Sequence, residues 1–133
     1  MAERRRQTRG DRGSTELAIA TPLLLLLVML VVQTALWAHA GHTAETIARH
    51  SLAATRAAGA SEADGHAAAH QAAIQLGGSV LTDVDVRIER GATTARVAVQ
   101  AEVPSLIPGL SWPITQEQQA PVERIVPAQG EQG

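Results

Sequence analysis

The sequence predicts an α+β protein: a long N-terminal transmembrane helix that runs on into an alanine-rich helical region, then a small antiparallel β-sheet. Three observations predict it. Residues 17–38 are 22 residues without a charge, eight of them leucine. Residues 40–76 are rich in alanine, with apolar positions at three-four spacing. Residues 83–103 alternate apolar and polar side chains at period two around a glycine-containing turn.

The apolar stretch comes first. A helix rises about 1.5 Å per residue, so the 22 residues of 17–38 reach roughly 33 Å, slightly more than the roughly 30 Å hydrocarbon core of a bilayer. The whole chain has 133 residues, too few to build a soluble core around such a helix on every side. One membrane span, at 17–38, is therefore expected. Trp37 stands at its far end, where an interfacial aromatic belongs. Pro22 lies early in the helix, where it removes one hydrogen bond and bends the axis, a feature that membrane helices tolerate.

Residues 1–16 form a basic arm. Arg4, Arg5, Arg6, Arg9 and Arg12 stand against Glu3 and Asp11. Positive charge beside a span is retained in the cytoplasm, which places the arm inside and the C-terminal region outside the cell membrane. An arginine run that abuts a span and has no aromatic side chains for base stacking does not point to nucleic acid. Glu16 stands at the mouth of the span. It reads either as an acid favoured by the positive end of the helix, with Ser14 and Thr15 as caps, or as the partner of a positive group, such as a terminal amine or an arginine of another subunit.

The run Arg12-Gly13-Ser14-Thr15-Glu16-Leu17-Ala18-Ile19-Ala20-Thr21-Pro22, followed by leucines, resembles the N-terminus of the TadE-like family, the pseudopilin-like proteins of tight-adherence (Flp-type) pilus assembly, in its actinobacterial type. The resemblance implies a pilin-like fold whose N-terminal helix serves as membrane anchor and assembly element. It implies lipid, other pilus or pseudopilin subunits and an assembly platform as partners. It also implies processing by a prepilin peptidase after Gly13, which would make Ser14 the new N-terminus. Glu16 is third after Gly13 and sixth after Gly10, where pilin-like substrates usually place the acid fifth. A secretory alternative rests on Ala38-His39-Ala40, an A-x-A sequence after which signal peptidase could release a small binding module.

Beyond the span, residues 39–78 are expected to be helical. Ala44, Ile47, Ala48 and Leu52 mark an apolar face, and Glu45 and Arg49 an i,i+4 pair. Gly59 breaks the helix. Ser61 and Asp64 suggest a capping box for a second helix over 62–76, presenting Ala69, Ala72, Ala73 and Leu76. Residues 79–127 hold the sheet. Val84, Val86 and Ile88 face one way on a first strand, and Ala95, Val97, Val99, Ala101 and Val103 on a second, with Gly91 in the turn. Prolines at 104, 108, 113, 121 and 127 predict a loop over 104–120, with a short third strand at 122–126. Residues 128–133 read as a disordered tail.

Nothing in the pattern points to an enzyme or a cofactor. The chain has no cysteine, hence no disulfide framework or thiolate site. His66 and His70, four apart on a helix, have metal-ligand spacing, but Ala67-Ala68-Ala69 stands between them and no strong third ligand follows. No serine sits in a nucleophile elbow and no glycine loop suits a phosphate.

Overall fold

The computed structural model describes residues 8–78 and 80–126. The elements run in the order α1 (Thr8–Arg56), α2 (Glu62–Ala72), a π-helical turn (Ala73–Gly77), β1 (Thr82–Arg90), β2 (Thr94–Pro104) and β3 (Ser111–Pro121). The fold is α+β, as expected: one long apolar helix, one short helix and a three-stranded antiparallel sheet. The chain divides into two units, residues 1–35 and 36–133.

In the first unit α1 begins at Thr8, earlier than the expected start at the span. Ser14, Thr15 and Glu16 therefore stand inside the helix instead of capping its end. The basic positions at Arg4, Arg5 and Arg6 lie outside the described residues. Leucine and alanine favour helix, and Pro22 is accommodated within α1.

The second unit holds the core. Residues 40–56 of α1 and all of α2 lie on one face of the sheet. Ala44, Ile47, Ala48 and Leu52 are buried, as their spacing predicts, together with Ala40 of the same helix and Ala69 and Ala72 of α2. Seven of the fifteen core residues are alanine, so the layers come together through small side chains. Their closest approach is at Gly65. A Cβ there would stand 2.0 Å from Thr55 Oγ1 and 2.8 Å from Ile88 Cδ1; only glycine fits between the helices and β1. The seam is polar and satisfied. The Ser51 hydroxyl donates to the carbonyl of Gly65 (2.9 Å), and the Thr55 hydroxyl to the carbonyl of Ser51 (2.8 Å). Ser61 and Asp64 form the expected capping box at the start of α2.

The sheet has the order β1-β2-β3, with β2 in the centre. All five apolar positions of β2 (Ala95, Val97, Val99, Ala101 and Val103) are buried, so the predicted dry face exists. On β1, Ile88 is buried and Val84 and Val86 are half-buried. A bulge between Thr82 and Asp85 shifts the register of β1, and Asp83 within it has a left-handed φ of 49°. Aspartate tolerates that region better than most residues.

The end of α1 is fastened to the sheet. Arg90 pairs with Ala95 and so points to the covered face. Its Nε donates to the carbonyl of Thr55 (2.8 Å) and its Nη2 to that of Ala57 (3.4 Å). The backbone N–H of Glu123 donates to the carbonyl of Arg56 (2.8 Å). These donors satisfy carbonyls that the end of a helix leaves without intrahelical partners.

Three expectations need correction. The third strand is Ser111–Pro121, not 122–126, and the predicted loop over 104–120 shrinks to residues 105–110. There the N–H of Leu110 donates to the carbonyl of Ile107 (3.2 Å). Pro108 and Gly109 (φ 81°) occupy the central positions that a type II turn reserves for them. Pro113 is accommodated because β3 is an edge strand, where an absent N–H breaks no ladder on the outer side. The second helix gives way to a π-helical turn after Ala72, short of the expected 62–76, and Leu76, expected on the face offered to a partner surface, is 45% exposed. The expected tail, 128–133, lies outside the described residues.

Candidate assembly helix

The residues singled out for function lie along α1. Gly13, Ser14 and Glu16 share one turn of α1 just before the apolar stretch, and all three are exposed. A Cβ at Gly13 would meet no neighbour within 4 Å, so this helix turn has no structural need of glycine. Pro22 is exposed one and a half turns beyond Glu16.

From Leu17 to Trp37 the helix shows its leucines, valines and isoleucine to the outside. Leu17, Ile19, Leu23 and Leu30 each keep more than 60% of their surface. Burying a leucine or isoleucine side chain is worth about 1.5–3 kcal/mol, so an uncovered helix of this composition in water is strongly disfavoured. Among the described residues this is the one helix long and apolar enough to cross a membrane. Thr34 lowers the polarity of its hydroxyl by donating to the carbonyl of Leu30 (2.8 Å). Trp37, at the end of the stretch, is about half exposed.

The other candidates do not form a chemical site. His66 and His70 line a shallow groove with Asp85, yet no group of three or more metal-ligating side chains occurs among the described residues. Asp83 and Asp85 lie on β1; Asp85 faces solvent beside Arg87 (3.6 Å). The predicted Glu45–Arg49 pair is formed, on an exposed helix surface where such pairs contribute about 0.3–0.5 kcal/mol.

The acidity of Asp64 departs clearly from the ordinary. The backbone N–H of Ser61, and then its hydroxyl, hold the carboxyl below the usual carboxylate range. That is a helix-capping effect, not a catalytic one.

Sequence reasoning missed the polar seam at Ser51, Thr55 and Gly65. A signal was present: Ser51 and Thr55 are four apart and continue the face marked by Ile47 and Ala48, which puts two hydroxyls into the core.

The class defined by this arrangement is a protein with a single long apolar N-terminal helix and a small α+β domain, with no group of three or more metal-ligating side chains among the described residues. Within it, residues 13–52 match the family described as TadE-like protein. The match begins at Gly13, covers the whole apolar stretch and ends among the core positions of α1. The TadE-like resemblance of the N-terminal motif is thus found over this segment, and it supports a role related to tight-adherence pili. The family is not an enzyme family. Neither a comparison with curated proteins nor one with solved structures finds a match.

Proposed function

We propose that the protein is a single-pass membrane, pseudopilin-like component of tight-adherence (Flp-type) pilus assembly or a related secretion system, acting by subunit association. One observation carries the reading. The segment matched by the TadE-like family, residues 13–52, contains the exposed, uncharged stretch 17–38 of a helix long enough to cross a bilayer. The basic arm stays in the cytoplasm and the α+β domain lies outside. Residues 17–38 hold the subunit in lipid, with Trp37 at the outer headgroups. Subunits meet through α1, at the assembly platform.

Glu16 is the residue assigned to register. It stands inside α1, exposed, so stabilisation by the helix end no longer accounts for it. A carboxylate at the border of the hydrocarbon is costly unless paired, and a positive group of a neighbouring subunit would pair it. Gly13 and Ser14 are the proposed processing site for a prepilin peptidase.

The secretory reading is less well supported. Ala38 and Ala40 lie inside α1, and Ala40 is fully enclosed in the core. Release after Ala40 would require opening the helix and would remove Ala40 from the core of the released module.

Two measurements test the proposal. Glu16→Gln should reduce co-purification with the other pilus components while leaving membrane insertion intact; unchanged association would remove Glu16 from the mechanism. Intact mass and N-terminal sequence of the protein from native membranes should show a start at Ser14. A start at Gly41 in the soluble fraction would replace the anchored reading with the secreted one.

A further inference from the structure

The two ends of the second unit differ in kind. One end holds Arg56, Glu62, Arg90, Glu123 and Arg124, joined by hydrogen bonds and an ion pair. The other end holds the β2–β3 turn, where residues 103–116 contain no charged side chain, and residues 80–82, which contain none either. The turn is apolar and uncovered: Leu106, Ile107 and Leu110 are each about half exposed, and Trp112, the first large side chain of β3, is 42% exposed. Trp112 pairs with Val103 and Ile114 with Ala101, so Trp112 lies on the covered face but at the end of the strand, beyond the buried core.

This apolar end is next to the outer end of the apolar helix stretch. Leu36 lines one cavity with Val80, Val103, Pro104 and Leu106. Trp37 lines another with Gly41 and Ile114. The chain thus brings its two tryptophans, Trp37 and Trp112, to the same end of the unit.

We propose that the β2–β3 turn is a second membrane contact: Leu106, Ile107, Leu110 and Trp112 rest in the interfacial layer of the bilayer that α1 crosses. The proposal rests on the membrane-spanning reading of 17–38. The occupant is lipid for three reasons. The patch is continuous with Leu36 and Trp37, which close the apolar stretch. Residues 103–116 carry no charged side chain of their own, and Glu45 borders the patch only on the α1 side, in the cavity of Trp37, so the turn itself offers no ion pair to a protein partner. Its tryptophan and aliphatic side chains are the types that partition to headgroup level. A domain held at the turn as well as by α1 has a defined tilt against the membrane, which sets the face shown to neighbouring subunits.

The test uses the full chain, one copy per nanodisc, in phosphatidylcholine with acyl chains brominated near the headgroup. Bromine quenches tryptophan on contact, and the protein has two tryptophans, so Trp37→Phe reports Trp112 alone and Trp112→Phe reports Trp37 alone. The expected result is that Trp112 loses most of its emission in brominated lipid and is shielded from aqueous acrylamide. Adding Ile107→Asp should reverse both effects. If Trp112 is open to acrylamide and indifferent to bromine while Trp37 is quenched by lipid, the span is inserted and the second contact does not exist. If Trp112 is shielded from both quenchers only when a disc holds two chains, another copy covers the turn and lipid does not. If Trp37 too is indifferent to lipid bromine, the membrane-spanning reading itself fails, and the second contact with it.

Discussion

Gly65→Ala adds one methyl group at the crossing of α1, α2 and β1. The new carbon would stand 2.0 Å from Thr55 Oγ1, well inside ordinary contact, so something must move. If α2 retreats, the core pays an overpacking cost of about 1–3 kcal/mol. The retreat also stretches the bond from Ser51 to the carbonyl of Gly65, worth about 1 kcal/mol. If Thr55 rotates instead, its fully buried hydroxyl leaves the carbonyl of Ser51, a loss of about 1–3 kcal/mol. Alanine returns about 1 kcal/mol through helix propensity. The balance is a destabilisation of about 2 kcal/mol. For a domain of this size each kcal/mol moves the melting midpoint by about 4–8 °C, so a drop of roughly 8–16 °C is expected. Thermal unfolding of the full chain in detergent, followed by circular dichroism, measures it. The mechanism is tested by a cycle with Thr55→Ala, which removes the clashing oxygen and leaves the approaches of 2.8 Å to the flexible end of Ile88 and 3.3 Å to Thr55 Cβ. The penalty of Gly65→Ala should then shrink. A stabilised Gly65→Ala protein, or a penalty unchanged by Thr55→Ala, would refute the reasoning.

Two further outcomes follow from the helix ends. Arg90→Ala removes the donors to the carbonyls of Thr55 and Ala57 and should cost about 1.5–3 kcal/mol, as hydrogen bonds from charged groups do; Arg90→Lys should recover only part, since an ammonium lacks the spread of the guanidinium, and urea titration separates the three proteins. Ser61→Ala should cost about 1 kcal/mol through loss of the cap and should also change the acid limb of stability. Because the folded carboxyl of Asp64 is depressed, its contribution is complete above its ordinary value of 3.8 and fades as the pH falls through the lower folded value. Melting midpoints taken between neutral and acid pH should converge for wild type and Asp64→Asn at the acid end and diverge above it.

Much of the fold is written in short-range pattern. The buried face of α1, the capping box and the alternation of β2 follow from spacing alone, because each element has one dry side. β3 escaped because its covered face carries Gln116 and Gln118 after Trp112 and Ile114, so hydrophobic alternation stops after two residues. Its prolines also read as breaks, and only the strand's position at the edge of the sheet, which depends on the whole topology, makes Pro113 harmless. The dipeptide Pro108-Gly109 was the local sign of a turn between two extended runs. The start of α1 escaped for another reason: Ser14 and Thr15 are good caps in isolation, but the preceding residues continue the helix. At the candidate site the motif from Gly13 to Pro22 was legible. The apolar end formed by Leu106, Ile107 and Trp112 was not, because residues about seventy positions apart in the chain meet there.

The borders of the sheet bear on how such a protein behaves in a crowd. Molecules confined to a bilayer meet far more often than the same molecules in solution, and open strand edges are what turn frequent meetings into fibres. Here one border is broken by the bulge at Asp83 and dressed with Asp85, Arg87 and Glu89, and the other carries Pro113 with Pro121 at its end. Neither offers an unbroken ladder to a second sheet. High surface density is thereby compatible with reversible encounters, and the proposed cohesion between copies would fall to helices.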